Sequence, residues 1–201
     1  MQKVTFLAVI VLLLGSAPGK PVLSRLAPGE LTAPGRLASP MAPGSPAARR
    51  TALQWLTFQE AQDKLKGQPR VIIMDIYTDW CYWCKVMEKN TYEDPRVVAY
   101  MADRFYPVRF NAESRASVTW QGQSFAFNPN YKVNELAMSL TKGNLAYPTT
   151  VIITPDAHHP TYVAGYLKPA DLEPVLKYFG EGAYKTKSYR DFKKDFQTSW
   201  K

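Results

Sequence analysis

Cys81 and Cys84 are the only cysteines in the chain, three apart in the run Asp79-Trp80-Cys81-Tyr82-Trp83-Cys84-Lys85. Two thiols at that spacing can cycle between dithiol and disulfide and exchange with a disulfide on another molecule. If a helix begins at Cys81, free backbone amides and the helix dipole there favour a thiolate. The magnitude matters: a thiol of pKa ~8.5 is only about 3% ionised at pH 7. Lowering it to ~7 makes about half of it nucleophilic. Cys81 is therefore the candidate attacking thiol. Cys84 lies one turn later on the same face, placed to resolve a mixed disulfide. A purely structural bridge is the weaker reading, because closing so short a loop stabilises a fold little.

Such a pair needs a rigid element behind it. Arg70 to Thr78 is nearly continuously apolar and β-rich, as a buried strand would be. It predicts a strand that ends at the cysteines, followed by a helix from the Cys pair to about Asn90. Upstream, Thr57-Phe58-Gln59-Glu60 is a capping box that opens a helix to about Lys66, stopped at Gly67. Downstream, Asp94-Pro95 reads as an N-cap with proline at N1 and opens a helix to about Phe105. A second strand follows at Tyr106–Asn111. Val118 to Phe127 reads as a hairpin turning at Gln121-Gly122. Asn134 to Thr141 reads as a helix ended by Gly143. Thr149–Thr154 and Thr161–Gly165 read as strands, and a last fold helix ends near Phe179-Gly180. Pro174 inside that helix means either a late start near Asp171 or a kink. Tyr189, Phe192, Phe196 and Trp200 recur at helical spacing, as a docking face would. Strands alternating with helices point to a mixed sheet covered on both faces.

The N-terminal residues bear on location. Lys3, the apolar run Val4–Leu14 and the small residues Gly15-Ser16-Ala17 read as a secretory signal over residues 1–19. An uncleaved membrane anchor is the alternative, although the run is short of the roughly 20 residues a span needs. Residues 20–50 are rich in Pro, Ala and Gly, with Ala-Pro-Gly recurring at Ala27, Ala33 and Ala42. They read as a flexible tether. The folded domain is expected over 51–182 and a C-terminal helical extension over 183–201. The chain has 201 residues and a formal net charge of +8. The basic residues are dispersed, which argues for a solvated surface rather than a nucleic-acid site. His158-His159 read as turn residues remote from the thiols, not as metal ligands.

The chain resembles the thioredoxin superfamily, particularly its exported members. The resemblance rests on Met74-Asp75, Trp80-Cys81-Tyr82-Trp83-Cys84-Lys85, Tyr147-Pro148-Thr149-Thr150-Val151 and Gly165, and covers about residues 55–180. It implies a thioredoxin-like α/β fold, a central mixed sheet flanked by helices, here with an inserted hairpin and a C-terminal helical extension. It also implies roles. Pro148 corresponds to the cis-proline that faces the dithiol and shapes the substrate groove, which Tyr147 flanks. Asp75 corresponds to the buried carboxylate that accepts a proton from Cys84. Trp80 corresponds to the exposed aromatic beside the nucleophile, and Trp83 is a candidate groove wall. The dipeptide Tyr82-Trp83 between the cysteines departs from the Gly-Pro of thioredoxin, and so does the extra segment 112–130.

The expectation is then a periplasmic or secreted thiol–disulfide oxidoreductase, monomeric, acting on protein disulfides or dithiols. It needs no metal or organic cofactor and would draw electrons from another dithiol protein, such as a membrane-bound thiol reductant. Reduction or isomerisation is favoured over oxidation. Two readings compete: a non-catalytic peptide-binding module on the same fold, and a handler of a soft metal such as copper.

Overall fold

Short local signals start most of the helices. In the computed structural model, which describes residues 52–155 and 160–200, Thr57 and Glu60 form a reciprocal capping box. It opens α1 (Phe58–Gly67). Strand β1 (Val71–Tyr77) follows, then α2 (Tyr82–Met87), whose N-cap is Cys81. The chain continues without a break into a π-helical turn, Glu88–Tyr92. The helix expected from the Cys pair is thus α-helical over its first half only. Asp94 caps α3 (Pro95–Arg104), with Pro95 at its start where a missing N–H costs nothing.

Strand β2 (Phe105–Asn111) leads into the hairpin β3 (Val118–Trp120) and β4 (Gln123–Phe125), which turns at Gln121-Gly122. A two-residue pair, β5 (Phe127–Asn128) with β6 (Val133–Asn134), was not legible in the sequence. Asn134 caps α4 (Glu135–Leu140). Strands β7 (Thr149–Ile153) and β8 (Thr161–Ala164) complete the sheet. Helix α5 (Pro169–Gly180) starts at Pro169 and simply contains Pro174, so the late start is not what forms. A 3-10 turn at Ala183–Lys185 and α6 (Tyr189–Asp195) follow. The readings of 1–19 and 20–50, and of His158-His159, lie outside the described residues.

The main sheet runs β2-β1-β7-β8; β1 and β2 are parallel and the other neighbours antiparallel. Side-chain alternation divides the core. Ile72, Met74 and Ile76 of β1 face α1 and α4, together with Val108, Phe110, Leu136 and Leu140. Val71 and Ile73 face the other way, onto Met87, Val97, Met101, Phe105, Leu172 and Leu176. This is the expected fold class, a mixed sheet with helices on both faces and an inserted hairpin.

The C-terminal stripe is not one helix. Tyr189 and Phe192 lie on α6 and pack on Tyr178, but α6 stops at Asp195. Phe196 has extended backbone. Trp200 leaves the stripe and enters the core beside Tyr100. The cause is Glu173, wholly buried on α5. Its carboxylate accepts hydrogen bonds from the Thr198 hydroxyl, from the Ser199 amide and hydroxyl, and from the Trp200 amide at 2.9 Å. Lys177 Nζ stands 3.4 Å away. Helical spacing alone cannot foresee a clamp made by a residue far upstream.

Burial would raise the Glu173 carboxyl, but the bonds from Ser199, Thr198 and Trp200 outweigh it and hold the group at about 2. A depressed carboxyl stabilises the fold above its unfolded pKa, ordinarily 4.5, and loses that contribution as pH falls through about 2. Glu173→Gln should therefore cost on the order of 2–3 kcal/mol at pH 7. The cost should shrink at pH 3, and urea unfolding at both pH values measures it.

Candidate active site

Strand parity builds the site. Asp75 shares its face of β1 with Val71 and Ile73, so it points toward the side covered by α2, α3 and α5. The register places Arg109 of β2 on one side of it and Thr150 of β7 on the other. Cys84 and Met87 form the buried stripe of α2, and Met87 packs in the cluster on that same side of the sheet. The strand carboxyl and the inward cysteine thus share one side of the fold.

Cys81 and Cys84 form a disulfide. Cys81 ends the loop and its Sγ accepts the amide of Cys84 at 3.0 Å, so this sulfur is the N-terminal cap of α2. The amide would serve a thiolate in the same position, which is the stabilisation the sequence suggests for the attacking sulfur. Both cysteines are nearly covered, Cys81 at 5% exposure and Cys84 at 2%. Cys81 is the more accessible of the two.

Aromatic rings stand around this covered pair. Trp80, Tyr82 and Trp83 are exposed at 67%, 69% and 54%, unusual for residues of this size and a mark of a contact surface. Trp80 meets Tyr147 edge-on at 5.9 Å and donates its indole N–H to Glu113. Trp83 stacks on Tyr166 at 5.6 Å. The Tyr147–Pro148 peptide bond is cis. Pro148 accepts a hydrogen bond from the amide of Gly165, whose φ of 98° suits glycine. That bond seats Tyr166 next to the Pro148 turn. Every residue singled out in the sequence (Cys81, Cys84, Asp75, Trp80, Trp83, Tyr147 and Pro148) falls in this region.

On the same side of the sheet as Cys84, Asp75 belongs to a charge cluster whose other members the sequence reading missed. Asp75 is 1% exposed. Burial pushes its carboxyl up to about 7; Arg109 opposes that rise and Glu88 reinforces it. Arg109 Nε lies 3.5 Å from Asp75 Oδ2, while its Nη1 bonds Glu88 Oε1. The guanidinium also lies over the Tyr77 ring at 4.4 Å. Asp75 Oδ1, Thr78 Oγ1, Arg109 Nε and the Tyr147 hydroxyl have no hydrogen-bond partner among the described residues. Unsatisfied buried atoms are rare, and four of the five among the described residues, all but Thr154 Oγ1, lie toward this end of the sheet. Tyr92, fully enclosed, reaches the Thr150 hydroxyl at 3.4 Å, and its phenol is pushed up by burial and by Asp75. Glu88 had a usable signal, since it follows Cys84 by one helical step of four residues. Arg109 and Tyr92 had none, because strand register and the π turn bring them there.

A carboxyl raised from its ordinary 3.8 to about 7 binds a proton more tightly folded than unfolded. It favours the folded state at low pH and burdens it as pH rises through about 7. Asp75→Asn should therefore stabilise the oxidised protein at pH 8.5, by up to roughly 4 kcal/mol. The gain should vanish near pH 4, as paired urea titrations would show.

The family model Thioredox_DsbH, described as "Protein of unknown function, DUF255", matches residues 36–180. An uncharacterized protein of Caenorhabditis elegans is 26% identical over 125 residues, covering 62% of this chain and 15% of that protein. The thiol:disulfide interchange protein DsbD of Salmonella typhi is 39% identical over 67 residues, covering 30% of this chain and 12% of that protein. The solved structure of DsbH oxidoreductase has 16% identity and a TM-score of 0.46, covering 75% of this chain and 96% of its own. The matched segments are a small part of the curated relatives, 15% and 12% of their lengths. The extent of the family match nevertheless decides membership: this chain belongs to the DsbH-like thioredoxin family.

Proposed function

We propose that the protein is an exported thiol–disulfide oxidoreductase that exchanges disulfides with protein substrates through Cys81 and Cys84. The observation that carries this reading is the covered disulfide at the start of α2, on the same side of the fold as a buried carboxyl whose pKa is about 7.

In the reducing direction the Cys81 thiolate attacks one sulfur of a substrate disulfide. A mixed disulfide forms and one substrate thiolate leaves. Cys84 then gives its proton to Asp75 and attacks Cys81 Sγ. The mixed disulfide breaks, the second substrate thiolate leaves, and the Cys81–Cys84 disulfide closes. The substrate has gained two electrons and leaves as two thiolates, which take their protons from water while Asp75 holds the proton that Cys84 gave up. A base works best when its pKa lies near the operating pH, and Asp75 meets that condition because burial and Arg109 pull against each other.

Substrate binding is assigned to the rim. The β7 ladder begins at Thr149, so the backbone of Tyr147 lies outside it, free to pair with an extended peptide across the cis-proline turn. Trp80 with Tyr147, and Trp83 with Tyr166, flank that path. Electrons would come from another dithiol protein, and a periplasmic or secreted location follows from the signal-like N-terminus. Among the described residues no helix is long and apolar enough to cross a membrane.

Cys81→Ser should return the reduction of insulin disulfides by dithiothreitol to its uncatalysed rate, and Cys84→Ser should accumulate a mixed disulfide visible on a non-reducing gel. Retained turnover in Cys81→Ser would sink the mechanism. Equilibration of the pair against glutathione fixes the direction. A potential of about −270 mV marks a reductant and one of about −120 mV an oxidant; the first is expected.

A further inference from the structure

Basic side chains gather at one end of the sheet. Strands β1 and β2 both run toward the dithiol, so helices α1 and α3, which precede them, end at the opposite pole. Helix α5 follows β8 and ends there too. At that pole Arg70, Arg104 and Lys185 line a cleft of about 400 Å3 with Pro69, Pro155 and the end of α5. Its one lining carboxylate, Glu181, accepts the Tyr100 hydroxyl. Lys64 and Arg70 border a neighbouring cleft with Leu53 and Gln54. Among the described residues, none of these four cations has a carboxylate at salt-bridge distance, although Lys64 acts on Glu60 one turn away. Arg70 and Arg104 instead lie over the rings of Tyr106 and Tyr100, at 5.5 and 4.5 Å. At the dithiol end Arg109 is held between Asp75 and Glu88, Asp79 and Glu113 lie beside Trp80, and Lys85 and Lys168 add positive charge.

We infer that this basic pole is a docking surface for an anionic phospholipid bilayer. Guanidinium and ammonium groups without carboxylate partners suit phosphodiester headgroups, and each basic side chain near an anionic surface adds to attraction. What favours a membrane over another polyanion is the direction of the chain. The described fold is entered at Ala52–Leu53, at this same pole. The sequence before it carries Lys20, Arg25, Arg36, Arg49 and Arg50 against a single Glu30, preceded by the apolar run Val4–Leu14. Docked this way, the protein presents Cys81 and its aromatic rim away from the bilayer, open to proteins in the aqueous phase. The inference concerns a surface remote from the dithiol and stands whether or not the exchange activity does.

The test is co-sedimentation of the full-length chain with vesicles of phosphatidylcholine alone and of phosphatidylcholine with 30 mol% phosphatidylglycerol, an anionic fraction of roughly the level that sets up a biological surface potential. Binding to the anionic vesicles should exceed binding to the neutral ones at least tenfold and weaken as salt is raised. Arg70→Glu/Arg104→Glu/Lys185→Glu should cut that excess several-fold, the basic residues before Ala52 keeping the remainder. Arg70→Gln/Arg104→Gln/Lys185→Gln, which asks less of the fold, should cut it by a smaller factor, and insulin reduction should persist in both triple variants. Equal binding to both vesicle types would overturn the inference, as would a triple variant that binds like wild type. So would displacement by inorganic phosphate at constant ionic strength, or tighter binding to duplex DNA than to the anionic vesicles.

Discussion

The central constraint on this structure is a carboxyl with too little water. Asp75 is at the buried end of the central strand, where charge is costly. The fold offers one cation in partial compensation, and Arg109 divides itself between Asp75 and Glu88. The result is a group neither firmly ionised nor firmly neutral at physiological pH. Moving it one position along β1 would turn it into the opposite core, among Met74 and Ile76. The parity of the strand is therefore as much a part of the site as the cysteines are.

Other features arrange themselves around that group. The strand–loop–helix junction sets Cys81 at a helix start, where an amide meets its sulfur, and turns Cys84 inward. The π turn after Met87 keeps Glu88 beside Arg109 while Tyr92 is buried against Thr150. Such turns recur at functional sites because they re-aim side chains that a regular helix would carry elsewhere. On the outer surface the need is reversed. Trp80, Tyr82 and Trp83 are exposed around the covered dithiol, and under the proposed function their rings would supply apolar contact to a bound substrate.

Much of this was legible in the sequence, for identifiable reasons. The capping box at Thr57, the Asp94-Pro95 start and the apolar run before Cys81 are local signals, and local physics decides those elements. The site residues that were found are adjacent in sequence or belong to motifs around Pro148. What stayed hidden depends on distant pairing. Arg109 reaches Asp75 only through the β1–β2 register. Glu173 holds Thr198, Ser199 and Trp200 away from the helix that the spacing of Tyr189, Phe192, Phe196 and Trp200 predicts. The small β5–β6 pair lacks the length to leave a periodic trace.

The account stands or falls on the protonation of Asp75. Carbon-13 NMR titration of its carboxyl in the oxidised protein measures this directly. The structure predicts a midpoint of about 7. A midpoint near the ordinary 3.8 would mean that the carboxyl is ionised throughout the working range. Asp75 could not then be the group that exchanges a proton with Cys84 near neutral pH.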